Sequence, residues 1–225
     1  MTSVSELQLV DSGIKSVVIL SPAHPLRGGI AALSERLAQE LQHHDVHVII
    51  YSFSLQYPKF LFPGKTQLTD DPAPKGLEIR TLVNSVNPLN WIRVGRMIRR
   101  ARPDLLLIRY WLPFMGPCLG TIARIVKKNH YTKIIAITDN MIPHEKRPGD
   151  RLLTNYFVQS ADAFVVMSKS VKEDLKYFTK TKPAVYSPHP VYDNYGEPVE
   201  HEAAKAFLKL SQNGKYLLFF GFIRK

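Results

Sequence analysis

The sequence is poor in cysteine and in long apolar runs, and each absence excludes a class of protein. Its 225 residues contain one cysteine, Cys118, so an internal disulfide and any zinc site built on a CxxC pair are excluded. No stretch approaches the roughly 20 consecutive apolar residues that span a bilayer, and the first residues lack the layout of a signal peptide. We therefore predict a globular cytoplasmic protein without a metal site.

Acidic residues are few relative to basic ones. The chain has 30 Lys and Arg against 19 Asp and Glu, which gives a net charge of +11. Such a surplus indicates an anionic partner, which is a nucleic acid, a phosphorylated small molecule or an anionic membrane. Nucleic acid is disfavoured because aromatic and basic residues do not interleave and no DNA-reading pair of helices is recognisable.

The GxGxxG motif of nicotinamide cofactor sites is also absent, and we predict no cofactor. Two adjacent glycines, Gly28 and Gly29, instead stand between the first predicted strand and the first predicted helix. Free N–H groups at such a helix start attract an anion or a hydroxyl group. A simple tight turn explains the glycine pair equally well.

The sequence does have a regular alternation of apolar runs and amphipathic segments. Runs typical of buried strands, such as SVVILS, DLLLIRYW and KIIAITDN, are separated by helical patterns of about 10–15 residues. This predicts an α/β protein, a Rossmann-like open and mostly parallel sheet with helices on both faces. We assign residues 1–14 to a tail, 15–190 to this domain, and 191–225 to a linker and the first strand of a second domain.

Polar residues follow the predicted strand KIIAITD. Asp139 and Asn140 stand at its carboxyl end, and His144 and Glu145 follow in the next loop. Ligands of open α/β sheets bind at the carboxyl ends of the strands, so we interpret these residues as candidates for catalysis and substrate binding. The alternative is a solvated loop in which Asp139 or Asn140 caps a turn.

A basic helix is predicted from the segment NPLNWIRVGRMIRRAR. Arg93, Arg96 and Arg100 share one face of it, and Trp91 stands near one end. A basic amphipathic helix with an aromatic residue is typical of contact with anionic lipid. An ordinary packed helix with a solvated basic face is the alternative.

Five motifs in order carry a family resemblance: SPAHPLRGGIAALSERLAQEL, TDNMIPHEKRPGDRLL, VMSKSVKEDL, HPVYDNYG and LLFFGFIRK. Together they resemble the amino-terminal half of a GT-B glycosyltransferase of family 4, over residues 15–225. The resemblance implies two facing Rossmann-like domains, of which this one binds the acceptor. It implies retaining transfer from a nucleotide-sugar, a substrate rather than a cofactor, to a glycan or glycolipid, as in polysaccharide biosynthesis.

The resemblance also implies roles for individual residues. Gly28 and Gly29 match a loop beside the donor phosphates and the acceptor, and Arg224 with Lys225 match the start of a loop that contacts the donor diphosphate. Many relatives have a histidine where this chain has Asp139. Either Asp139 orients an acceptor hydroxyl, or His144 replaces the missing imidazole, or neither does.

We therefore expect the chain to be the acceptor-binding part of a hexosyltransferase. It should be inactive as an isolated chain, because most of the donor site lies in the other domain. It would be cytoplasmic, or peripheral at the inner face of the cell membrane. A second hypothesis is a non-catalytic module that binds anionic lipid or a phosphorylated glycan.

Overall fold

A computed structural model describes residues 13–58, 67–143, 145, 147–190 and 196–219. The strands are β1 Ser16–Leu20, β2 His47–Leu55, β3 Glu78–Asn84, β4 Leu105–Tyr110, β5 Lys133–Thr138, β6 Ala163–Val166 and β7 Ala184–Tyr186. The α-helices are α1 Gly29–His43, α2 Pro88–Ala101, α3 Gly116–Lys127, α4 Asp150–Val158, α5 Lys169–Leu175 and α6 His201–Phe207, and a 3-10 turn, Pro113–Met115, precedes α3.

The seven strands form one sheet in the order β3-β2-β1-β4-β5-β6-β7, and every pairing is parallel. The predicted Rossmann-like α/β fold is confirmed, and in the described part of the chain the sheet is wholly rather than mostly parallel. Strand order reverses between β1 and β4, so the crevice outside their carboxyl ends is the expected ligand site of this topology.

Both faces of the sheet are covered, as parallel sheets require. All six residues of β4 are buried. Leu105 and Leu107 pack in one cluster with Ala38 of α1, whereas Leu106 and Ile108 pack in the other cluster with residues of α2, α3 and α4. The alternation along β4 therefore assigns α1 to one face and α2 to α4 to the other.

The chain divides into two compact units, residues 1–189 and 190–225. In the second unit, α6 contains no buried residue. Leu217, Leu218 and Phe219 are exposed and form no strand, and residues 220–225 lie outside the described residues. The strand predicted from LLFFGFIRK stays a prediction, because the structure describes only its first three residues, and these are not in a strand.

Candidate functional site

The first βα turn carries the glycine pair to the carboxyl end of β1, beside the switch point. Gly28 has a φ of 124°, which residues with a Cβ rarely adopt, and Gly29 begins α1. Both glycines are exposed. No described side chain caps this helix end, and the first turn has no acidic residue. Its N–H groups and positive dipole end thus face solvent at the expected ligand edge.

Neighbouring segments hold this turn in place. The hydroxyl of Ser52 on β2 accepts a hydrogen bond from the Ala23 N–H and donates one to the Ala23 carbonyl, both at 3.0 Å. The backbone N–H of His24 donates to the Glu35 carboxylate at 2.6 Å. Residues 67–69 also bond to the turn through their backbone. The glycine turn is therefore a fixed part of the sheet edge.

An ion pair lies at the carboxyl ends of β4 and β5. Arg109 Nη2 donates to Asp139 Oδ1 at 2.6 Å, and the two side chains are only 4% and 16% exposed. Burial raises the pKa of Asp139, while the charges of Arg109 and His189 oppose that rise. Asp139 Oδ2 is buried and accepts no hydrogen bond from the described residues. Arg109 thus orients the carboxylate through one oxygen, and the other oxygen can still accept a hydrogen bond.

His189 follows β7 and is the histidine whose charge acts on Asp139. His144, the other candidate for an imidazole role, lies outside the described residues. Among the residues that the structure describes, no group of three or more His, Cys, Asp or Glu side chains is placed to hold a metal ion.

A cavity of about 300 Å³ opens beside this edge. Its walls are mainly apolar and include Met141, Pro143 and Phe178, and its polar groups include Arg147, Asp150 and Arg151. Met141 is two residues from Asp139, so the cavity adjoins the ion pair along the chain. Apolar walls with a few charged groups are typical of a small-molecule site.

Residues 27–191 match the model of Glycosyltransferase Family 4. The chain belongs to this family. The match spans the glycine turn, the ion pair and the cavity, so membership supports a glycosyltransferase role that uses a sugar donor and an acceptor. No curated protein matches the chain.

In this glycosyltransferase family 4 chain, the predicted site residues Asn140 and Glu145 are exposed and follow Asp139 closely in sequence. Arg224 and Lys225 lie outside the described residues. The sequence interpretation missed Arg109, although a lone arginine within LLLIRY signals a buried charge that needs a partner.

The basic helix is confirmed as α2, with Arg93, Arg96 and Arg100 all exposed. Among the described helices, none combines the length and the apolar character needed to cross a membrane.

Proposed function

We propose that this domain binds the acceptor of a retaining transfer of a hexose from a nucleotide-sugar to a glycan or glycolipid, within polysaccharide biosynthesis. The observation that carries this proposal is the Asp139 carboxylate, which Arg109 fixes at 2.6 Å on the ligand edge of a family 4 glycosyltransferase domain. An acceptor hydroxyl that donates to the second carboxylate oxygen would satisfy a buried acceptor atom.

The glycine turn has a complementary role in this proposal. A sugar transfer from a nucleotide-sugar builds negative charge on the leaving diphosphate, and N–H groups at a helix start stabilise such charge. The start of α1 at Gly28 and Gly29 faces the same sheet edge as Asp139. Acceptor hydroxyl and leaving group would therefore be held on one side of the sheet.

The cavity beside α4 suits the acceptor. Its apolar walls fit a lipid or the apolar face of a sugar ring, and Arg147 and Arg151 fit a phosphate or carboxylate on the same molecule. Asn140 and Glu145 are exposed next to it along the chain and supply further hydrogen-bonding groups for sugar hydroxyls. Donor contacts through Arg224 and Lys225 remain part of the proposal.

The test compares the wild-type chain with Asp139→Asn, which keeps the shape of the side chain and removes its charge. Saturation-transfer NMR with a panel of sugars, sugar phosphates and short-chain glycolipids would identify an acceptor. We expect Asp139→Asn to weaken its binding about 10-fold, because a hydrogen bond to a charged group contributes about 1.5–3 kcal/mol. Glu40→Gln, on the exposed surface of α1, is the matched control, because it also converts one carboxylate to an amide.

Unchanged acceptor binding in Asp139→Asn would overturn the role of this residue. The isolated chain should also turn over no nucleotide-sugar. Turnover of UDP- or GDP-sugars by the 225-residue chain alone would contradict the proposed division between an acceptor domain and a donor domain.

A second candidate function is peripheral contact with an anionic membrane through α2. It is favoured by the exposure of Arg93, Arg96 and Arg100 and by Leu89, which is 77% exposed in the first turn of the same helix. Exposed cations beside an exposed apolar side chain fit a headgroup layer. Co-sedimentation with anionic vesicles measures this contact.

A further inference from the structure

A concave surface lined almost wholly by cations lies at the amino edge of the sheet, opposite the edge that carries Asp139. The helices α2 and α3 end there, since they lead into the starts of β4 and β5. The cavity has a volume of about 530 Å³ and is lined by Arg96, Arg99, Arg100, Arg102, Lys128 and Asn129. We call it the basic groove.

The two helices that form the basic groove are fixed against each other. A Cβ placed on Gly95 of α2 would lie 2.9 Å from the Cβ of Ile125 on α3, so the helices approach more closely than a larger residue would allow. At the end of α3, the Asn129 amide donates to the carbonyl of Arg99 at 3.4 Å and to the hydroxyl of Thr132 at 2.8 Å. The groove therefore has a preformed shape.

Helix-dipole compensation does not account for so many cations. Lys and Arg are favourable at helix C-termini, where the dipole amounts to about half of one negative charge. The two helix ends at the basic groove thus offset about one of its five positive charges. Most of the charge at this surface is uncompensated by the helices.

Salt bridges to acidic side chains do not compensate it either. Among the described residues, none of the five groove cations forms a salt bridge, although five other Arg and Lys side chains do. Arg102 caps α2 with a φ of 48° and lies 5.1 Å from the ring centre of Tyr131. A cleft lined by one sign of charge concentrates its field and attracts counter-ions.

We propose that the basic groove binds a phosphate-bearing anion with at least two negative charges. Guanidinium groups pair with phosphate oxygens through two parallel hydrogen bonds, and four of the five groove cations are arginines. The lining contains no apolar side chain, so the phosphate group alone would be recognised. Its source is either a free polyphosphate or a lipid headgroup. This inference does not depend on glycosyl transfer.

The test is calorimetric titration of the 225-residue chain with inorganic pyrophosphate, at low salt. The groove variant combines Arg99→Gln, Arg102→Gln and Lys128→Gln, which removes three of the five positive charges of the groove. It leaves Arg96 and Arg100 of the proposed membrane face unchanged. The matched control changes Lys75, Lys169 and Lys180 to Gln, which are exposed lysines outside the groove. We expect saturable binding that weakens at least 10-fold in the groove variant and less than 2-fold in the control.

A parallel arm measures co-sedimentation with vesicles that contain phosphatidic acid, whose phosphomonoester can carry two negative charges, and identifies the source. If the groove variant, but not the control, loses affinity for pyrophosphate, the source is a free polyphosphate. If it loses affinity only for the vesicles, the source is a lipid headgroup. Equal losses in the two variants, or no binding in either arm, would overturn the proposal. Unchanged circular dichroism and thermal midpoint of each variant would show that the fold is intact.

Discussion

At the scale of single residues, the ion pair between Arg109 and Asp139 has the largest consequences. Both side chains are mostly buried, and breaking a buried pair by removing one partner costs about 3–5 kcal/mol, because the other charge stays buried. Burial raises the pKa of Asp139 even with Arg109 present. The charge of Arg109 thus favours the ionised carboxylate, whereas burial favours the neutral acid.

We expect Arg109→Met to lower the free energy of unfolding by about 3–5 kcal/mol at pH 7.5. The loss should shrink towards pH 5. Without Arg109, the rise that burial causes in the pKa of Asp139 is less opposed. A carboxyl group with a raised pKa binds its proton more tightly in the folded chain than in the unfolded chain, so the variant regains stability as the pH falls towards that pKa. Urea unfolding at both pH values measures this.

The exposed change Arg151→Met is the control and should cost little at either pH. Adding Asp139→Asn to Arg109→Met should recover part of the loss at pH 7.5, since no buried charge then remains. An equal loss at pH 5 and 7.5 would show that Arg109 contributes by packing and not by charge.

The position of Asp139 was predictable and its partner was not. Asp139 directly follows a recognisable strand, and the carboxyl ends of strands collect ligand-facing groups. Its pairing with Arg109 depends on β4 and β5 being neighbours, which the sheet order alone establishes. His189 acts on Asp139 from a third strand end, and no spacing along the chain indicates this.

At the scale of elements, two glycines of α3 allow a matched comparison of helix packing. A Cβ on Gly116 would lie 2.4 Å from the carbonyl oxygen of Leu153, whereas a Cβ on Gly120 would meet the Tyr156 ring at 2.9 Å. The backbone of α4 cannot move aside for the added methyl group, whereas the partly exposed side chain of Tyr156 can. We expect Gly116→Ala to destabilise the chain by about 1–3 kcal/mol.

Gly120→Ala should cost less than 1 kcal/mol, since alanine also favours the helix by about 1 kcal/mol. Thermal or urea unfolding of the two variants measures the difference. Equal stabilities would mean that α3 and α4 separate readily and that their packing does not fix the cavity beside α4.

Most elements of the sheet were predictable because apolar runs and amphipathic segments alternate with clear spacing. The segment LLFFGFIRK stays a prediction, because the structure describes only residues 217–219 of it, which are exposed and outside any strand. An apolar run indicates a buried strand, but its pairing depends on neighbouring strands that the local pattern does not identify.

At the scale of the whole molecule, the candidate functional site and the basic groove lie at opposite ends of the parallel strands. The ion pair and the glycine turn lie at the carboxyl edge, and the basic groove lies at the amino edge. The sequence indicates a net charge of +11 and a basic helix that ends at Arg102, but Lys128, at the end of α3, lies beside that helix only after folding. The proposed anion site was therefore not predictable from the helix pattern.

The membrane contact proposed for α2 gives a prediction for the whole chain. Each cation near an anionic surface contributes about 1 kcal/mol, so changing Arg93, Arg96 and Arg100 to Glu should weaken binding to phosphatidylglycerol vesicles more than 100-fold. Changing Lys75, Lys169 and Lys180 to Glu alters the net charge equally and is the control. Binding of the wild-type chain should also fall between 0.05 and about 0.3 M salt, because salt screens exposed charges. If both triple changes weaken co-sedimentation equally, net charge rather than the face of α2 governs the contact.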